Sequence, residues 1–485
     1  MAVEYHDLRG YVDLVKQRGQ YLEIDNADWN LEIGALTEAT AEHVADPPMM
    51  MFDNIKGHEK GFRVMSLGVA SKRNAAISMG LDPNKTKLGL VRDLVRTIKN
   101  IKPMPPRFVN NGPVMENVME GDAINILKFP SLISHSKDGG RYIGTGDSLI
   151  NADPETGYVN VGTYRMQVHD EKTLGLWMSP GQQGREICAR YWRQGKACPV
   201  VAIFGGDPLV FHSSCVKFPW GKPELEYAGG WRGQPIDVIK GPITGLPIPI
   251  YSEVVVEGEV PPPDVEAREE GPFGEWPGYY SGGTTGTGVK QPIIKIKAVY
   301  YRHNPILWNQ APMWLGAPTH GISQRAGLVW DQIEAAGVPN VVGVYFHTGY
   351  LLVVAIKQAY AGHAKQAAMA AMATAAGARN GRYVVVVDED IDPTNLKEVV
   401  WAMQTRVDPV SDIETIAKCW STPLDPRMPP ENRIAKDHTN SRAVFYAVRP
   451  WAWRNQFPIV NRTERELLSQ VMNKYRGKIA FPEGL

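Results

Sequence analysis

The chain has little that would mark a nucleic-acid binder, a secreted scaffold or a membrane protein. Neither sign of charge is in excess, since Lys and Arg total 52 and so do Asp and Glu. A binder of nucleic acid or of an anionic membrane carries a basic surplus, so neither partner is expected. Cysteine is scarce, at positions 188, 198, 215 and 419, and shows no CxxC or zinc spacing. That argues against a disulfide framework and a zinc module. No apolar run reaches the ~18 residues of a membrane-spanning helix. The start, Met-Ala-Val-Glu-Tyr-His-Asp, lacks a basic and then apolar leader, so a cytoplasmic protein is expected. No internal repeat, low-complexity linker or dinucleotide fingerprint is found. The run Gly282-Gly-Thr-Thr-Gly-Thr-Gly288 lacks the Lys-Ser/Thr of a phosphate loop and reads as structural.

What is present is 485 residues, enough for several domains. Helical spacing marks 6–18 and 31–44, with Asp7 and Asn30 as caps. Phe62–Val69 reads as a strand, and Leu88–Ile98 as a helix that stops before Pro103. Short β-rich runs follow at 158–168, 175–178, 199–204, 249–256 and 293–301, separated by Gly/Pro turns, a pattern of a barrel-like or split β-barrel core. Beyond Pro312 the style alternates. A helix capped by Thr319 runs to Ala336, strands cover 341–346 and 351–356, and an alanine-rich helix covers 359–376. A strand at 383–387 and a helix at 395–403 complete a second α/β domain. The amphipathic stretch 462–476 reads as a docking helix. The chain is thus a multidomain α+β / α/β protein. Its parts are an α/β region (1–110), a split β-barrel core (111–312), a C-terminal α/β domain (313–450) and a docking helix or tail (451–485).

Glu270-Gly-Pro-Phe-Gly-Glu275 is the most informative stretch. Gly271, Pro272 and Gly274 form a turn that holds two glutamates on one loop. Crowded carboxylates resist ionising together, and Phe273 adds apolar bulk, so one glutamate can stay protonated beside a charged partner. Arg165, in a run rich in Val, Tyr and Thr, is either a structural ion pair or an anion ligand. If that run is one strand, Asn160, Gly162 and Tyr164 share one face, and Val161, Thr163 and Arg165 the other.

These segments together resemble the UbiD family of reversible decarboxylases, which use prenylated flavin mononucleotide (prFMN), and within it the ferulic acid decarboxylase type. The resemblance rests on the glutamate loop, on Asn160-Val-Gly-Thr-Tyr-Arg165-Met-Gln-Val, on Glu224-Leu-Glu-Tyr-Ala-Gly-Gly-Trp-Arg-Gly233 and on Val387-Asp-Glu-Asp-Ile-Asp392. It implies a catalytic triad of Arg165, Glu270 and Glu275, with Glu275 as proton donor. It implies a Mn or Mg site at Asn160 and Glu224, with Glu226 as the alternative if the segment aligns two residues later. The family's usual third ligand, a histidine, is missing. Gln183 stands at the best-matching position, and Gln182 beside it is placed against the flavin. Gly162, Thr163, Tyr164, Arg165 and Ser214 are implied flavin contacts. Phe211-His212-Ser213-Ser214-Cys215 resembles the segment that holds potassium, implying His212, Ser213 and Cys215, whose other reading is a strand-end turn. Relatives place a lysine against the flavin phosphate where this chain has only Arg379 and Arg382, so Arg382 is the substitute.

His169 does not match and reads as a surface or strand-end histidine. Trp314, His347, Tyr350 and His438 are candidates for shaping the far side of the pocket. The implied substrate is an aromatic, heteroaromatic or α,β-unsaturated carboxylic acid. The implied partners are a flavin prenyltransferase that supplies the cofactor and further copies of the chain, as a homodimer or higher homo-oligomer. Two other classes fit less of the sequence: an oxidoreductase using ordinary FMN, and a non-catalytic subunit of a decarboxylase assembly.

Overall fold

The computed structural model describes residues 3–281, 289–313, 321–322, 324–379 and 381–479. The glycine run 282–288, Trp314 and the Thr319 cap lie outside them. The chain divides into two compact units. The first comprises Met1–Leu81, Thr97–Gln324 and Ser421–Thr439, and the second Asp82–Arg96, Arg325–Trp420 and Asn440–Leu485.

The first unit opens with the helix Leu8–Gln17, where the Asp7 carboxylate caps by accepting from Gly10 N. The next helix, Glu32–His43, has no side-chain cap. The expected cap Asn30 instead forms a backbone bridge to Ile133. A four-stranded sheet orders Tyr21–Asp25, Met49–Asp53, Arg63–Ser66 and Ile306–Asn309. Its last strand therefore comes from far along the chain and pairs in parallel with Arg63–Ser66.

A nine-stranded sheet forms the body of this unit. Its path runs Tyr142–Gly144, Met166–Asp170, Thr173–Leu176, Ile293–Tyr301, Val254–Val260, Cys198–Phe204, Asp147–Ala152 and Val159–Gly162, with Asn117–Glu120 paired on Ile293–Tyr301. Its runs of Val and Ile suit a pleated surface packed on the core, and Val200, Val256, Ile294 and Val299 are fully buried. The stretch expected as one strand, 158–168, is two strands, broken at Thr163–Arg165. The strict face alternation therefore ends at Gly162. The two halves lie six places apart in the sheet path. Laid flat, six strand spacings would need about 29 Å, while four residues of chain reach at most about 14 Å. The sheet must curl until its ends come near each other, and Thr163–Arg165 crosses the gap.

Three helices fill the stretch that reads as β-rich: Gln183–Trp192, Pro208–Ser214 and Glu224–Arg232. The strand-end turn read at 211–215 is the end of the second of these, capped by Asp207 through Leu209 N at 2.8 Å.

The second unit holds a five-stranded sheet ordered Val341–His347, Leu351–Ile356, Tyr383–Asp388, Thr439–Ala447 and Ile413–Trp420. Helices Gln324–Ala335, His363–Ala373 and Leu396–Arg406 follow the expected alternation. Val353, Val385, Val399 and Ala402 form part of its core. The C-terminal helix is Arg465–Tyr475. No helix among the described residues is long and apolar enough to cross a membrane.

Candidate active site

The break after Gly162 delivers Arg165 to the glutamate loop. Its guanidinium grips Glu270 with two bonds, Nε to Oε1 at 2.8 Å and Nη2 to Oε2 at 2.7 Å. Nη1 donates to Glu275 Oε1 and, at 2.8 Å, to Ser281 Oγ. A planar fork meeting a carboxylate in this way fixes both direction and distance. Arg165, Glu270 and Glu275 are all buried. The guanidinium lies 4.5 Å from the Trp177 ring and 5.0 Å from that of Phe273.

The loop is tied on several sides. Arg268–Glu270 pairs with Val289–Gln291, and Phe273–Gly274 with Tyr280–Ser281. Gln167 Oε1 accepts from Gly271 N at 3.0 Å, Pro272 O accepts from Gly139 N at 2.7 Å, and Asp138 Oδ1 accepts from Gly274 N at 3.0 Å. Tyr142 donates to Glu270 Oε1 at 2.8 Å and packs its ring 4.3 Å from Phe273. Gly139 has no alternative, because a Cβ there would stand 2.0 Å from Gly271 O.

Burial pushes the Glu275 carboxyl up, and the charge of Glu270 adds to this against the pull of Arg165. One guanidinium cannot fully compensate two buried carboxylates, so Glu275 is the member disposed to keep a proton. Burial opposes the charge on Arg165, but Glu275 and Glu270 together hold it above its ordinary value. Beside this group lies a cavity of ≈ 700 Å³ whose walls include Arg165, Trp177, Met178, Glu270, Tyr280 and Ser281. His438 also lines it. His347 lies in the second unit and bonds Pro393 O at 2.8 Å.

A second polar neighbourhood surrounds Asn160 and Glu224. Glu224 starts its helix, is buried, and accepts from Val161 N at 2.9 Å. Burial pushes its carboxyl up to about 8. Asn160 donates to Asn151 Oδ1 at 3.1 Å. Gln183 begins its own helix; its Oε1 accepts from Tyr158 at 3.3 Å and its Nε2 donates to Phe218 O at 3.0 Å. Gln182 precedes it as the helix cap residue. The described residues contain no cluster of three His, Cys, Asp or Glu, so a cation here would depend on amide oxygens as well as Glu224. The donor set fits a hard divalent ion: three oxygen-bearing side chains, one of them a buried carboxylate short of positive charge.

Ser214 Oγ lies 2.7 Å from Thr163 Oγ1, and Cys215 Sγ is 3.5 Å from the same hydroxyl. The His212 ring instead meets Ser78 Oγ at 2.8 Å, and Ser213 Oγ donates to Leu209 O at 2.8 Å. Those two side chains are turned toward other partners, and Ser213 O accepts from Val216 N at 3.4 Å. Asp147, unmarked in the sequence, is buried with Oδ1 unpartnered among the described residues. Thr163 donates to its backbone oxygen. Arg382 belongs to the second unit, its guanidinium 5.4 Å from the Tyr350 ring. His169 is near the strand end, as the sequence reading has it. It lies within Met166–Asp170, half-buried, and its Nε2 would meet a Cβ on Gly175 at 2.8 Å.

Comparison with known proteins places this geometry in a lineage. Residues 12–94, 107–313 and 319–447 match, in order, the N-terminal, Rift-related and C-terminal domains of 3-octaprenyl-4-hydroxybenzoate carboxy-lyase, UbiD. A phenolic acid decarboxylase of Sedimentibacter hydroxybenzoicus is 33% identical over 455 residues, covering 90% of this chain and 91% of that one. The closed form of the vanillic acid decarboxylase of the same organism superposes with a TM-score of 0.81 at 30% identity, covering 97% and 98% of the two chains. The UbiD-class enzyme HmfF of Pelotomaculum thermopropionicum, in complex with FMN, gives 0.81 at 25%, covering 96% and 100%. Matched over all three domains and nearly its whole length, this chain belongs to the UbiD family and is a carboxy-lyase acting on a carboxylic acid.

Proposed function

We propose that the chain releases CO2 from an aromatic, heteroaromatic or α,β-unsaturated carboxylic acid with the help of prFMN. The observation that carries this reading is the buried guanidinium shared by two glutamates at the wall of an aromatic-lined cavity. The fold is read as a split β-barrel that holds the flavin, flanked by α/β regions.

When bound, the prenylated flavin supplies an electron sink for the pair left by departing CO2. The chain's own residues do the rest. Arg165 orients the substrate carboxylate. Its five N–H groups make four of the bonds above, and the fifth, on Nη2, is available to the incoming acid. Glu270, held by Tyr142 and Arg165, stays in place as the fixed negative partner. Glu275 holds a proton on its carboxyl and delivers it to the carbon that lost CO2. Trp177 and Phe273 keep water from the buried charges. Asn160, Gln183 and Glu224 would hold Mn or Mg, and such an ion would supply positive charge for a flavin phosphate without a basic nest. Backbone oxygens of His212 and Ser213, with Cys215, would hold potassium.

The test is protein made together with a flavin prenyltransferase and screened for CO2 release over aromatic and acrylic acids. Its absorbance spectrum identifies the flavin. An ordinary FMN spectrum with consumption of reduced nicotinamide, or no flavin at all, would overturn the reading.

A further inference from the structure

The cavity beside Arg165 has a second feature that decarboxylation alone does not use. Among the described residues its wall carries five cations, Arg165, Arg185, Lys290, Arg433 and Lys436, against one carboxylate, Glu270. Arg165 is matched by Glu270 and Glu275. The other four form no ion pair among the described residues. Arg185 is half-buried on the helix Gln183–Trp192, its guanidinium 5.3 Å from the Trp192 ring. Arg433 is half-buried and donates only to a backbone oxygen, Asp425 O at 2.8 Å. Lys290 and Lys436 are exposed at the rim. The other described residues of the wall are mainly apolar or aromatic, among them Trp177, Met178, Tyr279 and Leu424, with Ser281, Gln291 and His438 as polar members.

A half-buried guanidinium without an anion costs desolvation that an incoming anion can return. Its fork suits carboxylate, sulfonate or phosphate oxygens. A simple monocarboxylate is already served by Arg165 and leaves these four cations unanswered. We propose that this cationic rim binds a second anionic group of the substrate, so that the acid accepted is a planar dianion with a further carboxylate, sulfonate or phosphate. The inference rests on the decarboxylase reading for its first carboxylate and on the rim alone for its second.

The test uses the holoenzyme and matched pairs of acids: benzoate against 4-sulfobenzoate and benzene-1,4-dicarboxylate, and cinnamate against 4-carboxycinnamate. CO2 release gives kcat/KM, and tryptophan quenching gives affinity whether or not turnover occurs. At low salt the dianion of each pair should lead by about tenfold or more, and salt should shrink that lead. Arg185→Gln should bring the ratio toward one, Arg185→Lys should keep part of it, and flavin content should hold in both. Dianion preference in binding without any CO2 release would leave the rim standing and sink the decarboxylase reading. Equal affinity for both members of each pair would overturn the rim. So would loss of flavin in Arg185→Gln with the ratio unchanged, because the arginine would then serve the cofactor's own phosphate.

Discussion

At the scale of single residues, the question is which of two glutamates carries the proton. Both contact one guanidinium, and burial with the neighbouring charge pushes Glu275 up. Glu275→Gln keeps the shape but has no acidic proton, so CO2 release should fall by about two to four orders of magnitude. Flavin content, read from absorbance, should stay near wild type. A rate that needs protonated Glu275 falls as pH rises through its raised pKa, so the alkaline limb should lie above the ordinary carboxyl range. Glu270→Gln removes the charge that helps raise Glu275, so in that variant the limb should move to lower pH, as a kcat profile would show. The glutamate pair was legible because Gly271, Pro272 and Gly274 announce a turn between them, whereas Arg165 was tied to it only by the family resemblance. Tyr142 and Gln167 were not, because nothing in sequence shows that they approach Glu270 and Gly271 from 128 and 104 positions away.

At the scale of elements, position is set by where strands stop. A reading by alternation carried the strand through 158–168, since Val, Tyr and Thr fit a strand throughout. The curl of the whole sheet overrides that preference at Thr163–Arg165 and frees Arg165 from the pleat. The helices Pro208–Ser214 and Glu224–Arg232 escaped notice for a local reason. They are short, begin beside proline, and the second carries Gly229 and Gly230, which against propensity sit in a helix packed close to Met104 O and Lys102 O. The glutamate loop gives a direct test of such close packing. Gly139→Ala places a methyl against Gly271 O, so the loop must shift. Stability should drop by about 1–3 kcal/mol in thermal unfolding, and CO2 release by more than that loss of folded protein explains. Unchanged turnover would mean that the loop's position is not critical.

At the scale of the whole molecule, the alternation of helices and strands after residue 324 was readable from periodicity alone. Strands Ile413–Trp420 and Thr439–Ala447 were not, because most of their residues are exposed or half-buried and carry little apolar pattern. The cofactor reading makes a prediction at this scale as well. Protein made without a flavin prenyltransferase and then given FMN should release no CO2, while co-produced protein should. Full turnover from FMN alone, measured as CO2, would reassign the cofactor.

The N-terminal sheet also sets a timetable for synthesis. Its strand Arg63–Ser66 waits for Ile306–Asn309, and the partner of Ser66 lies 243 positions on (309 less 66). At about 5–20 residues per second, a ribosome needs roughly 12–50 s to make that stretch. For that interval the first sheet stands on the nascent chain with an open edge, a strand template for any other chain nearby. The sheet is completed only after every strand of the large curled sheet has been made, which couples the start of the protein to its middle before the greater part of the second unit, from Arg325 on, exists.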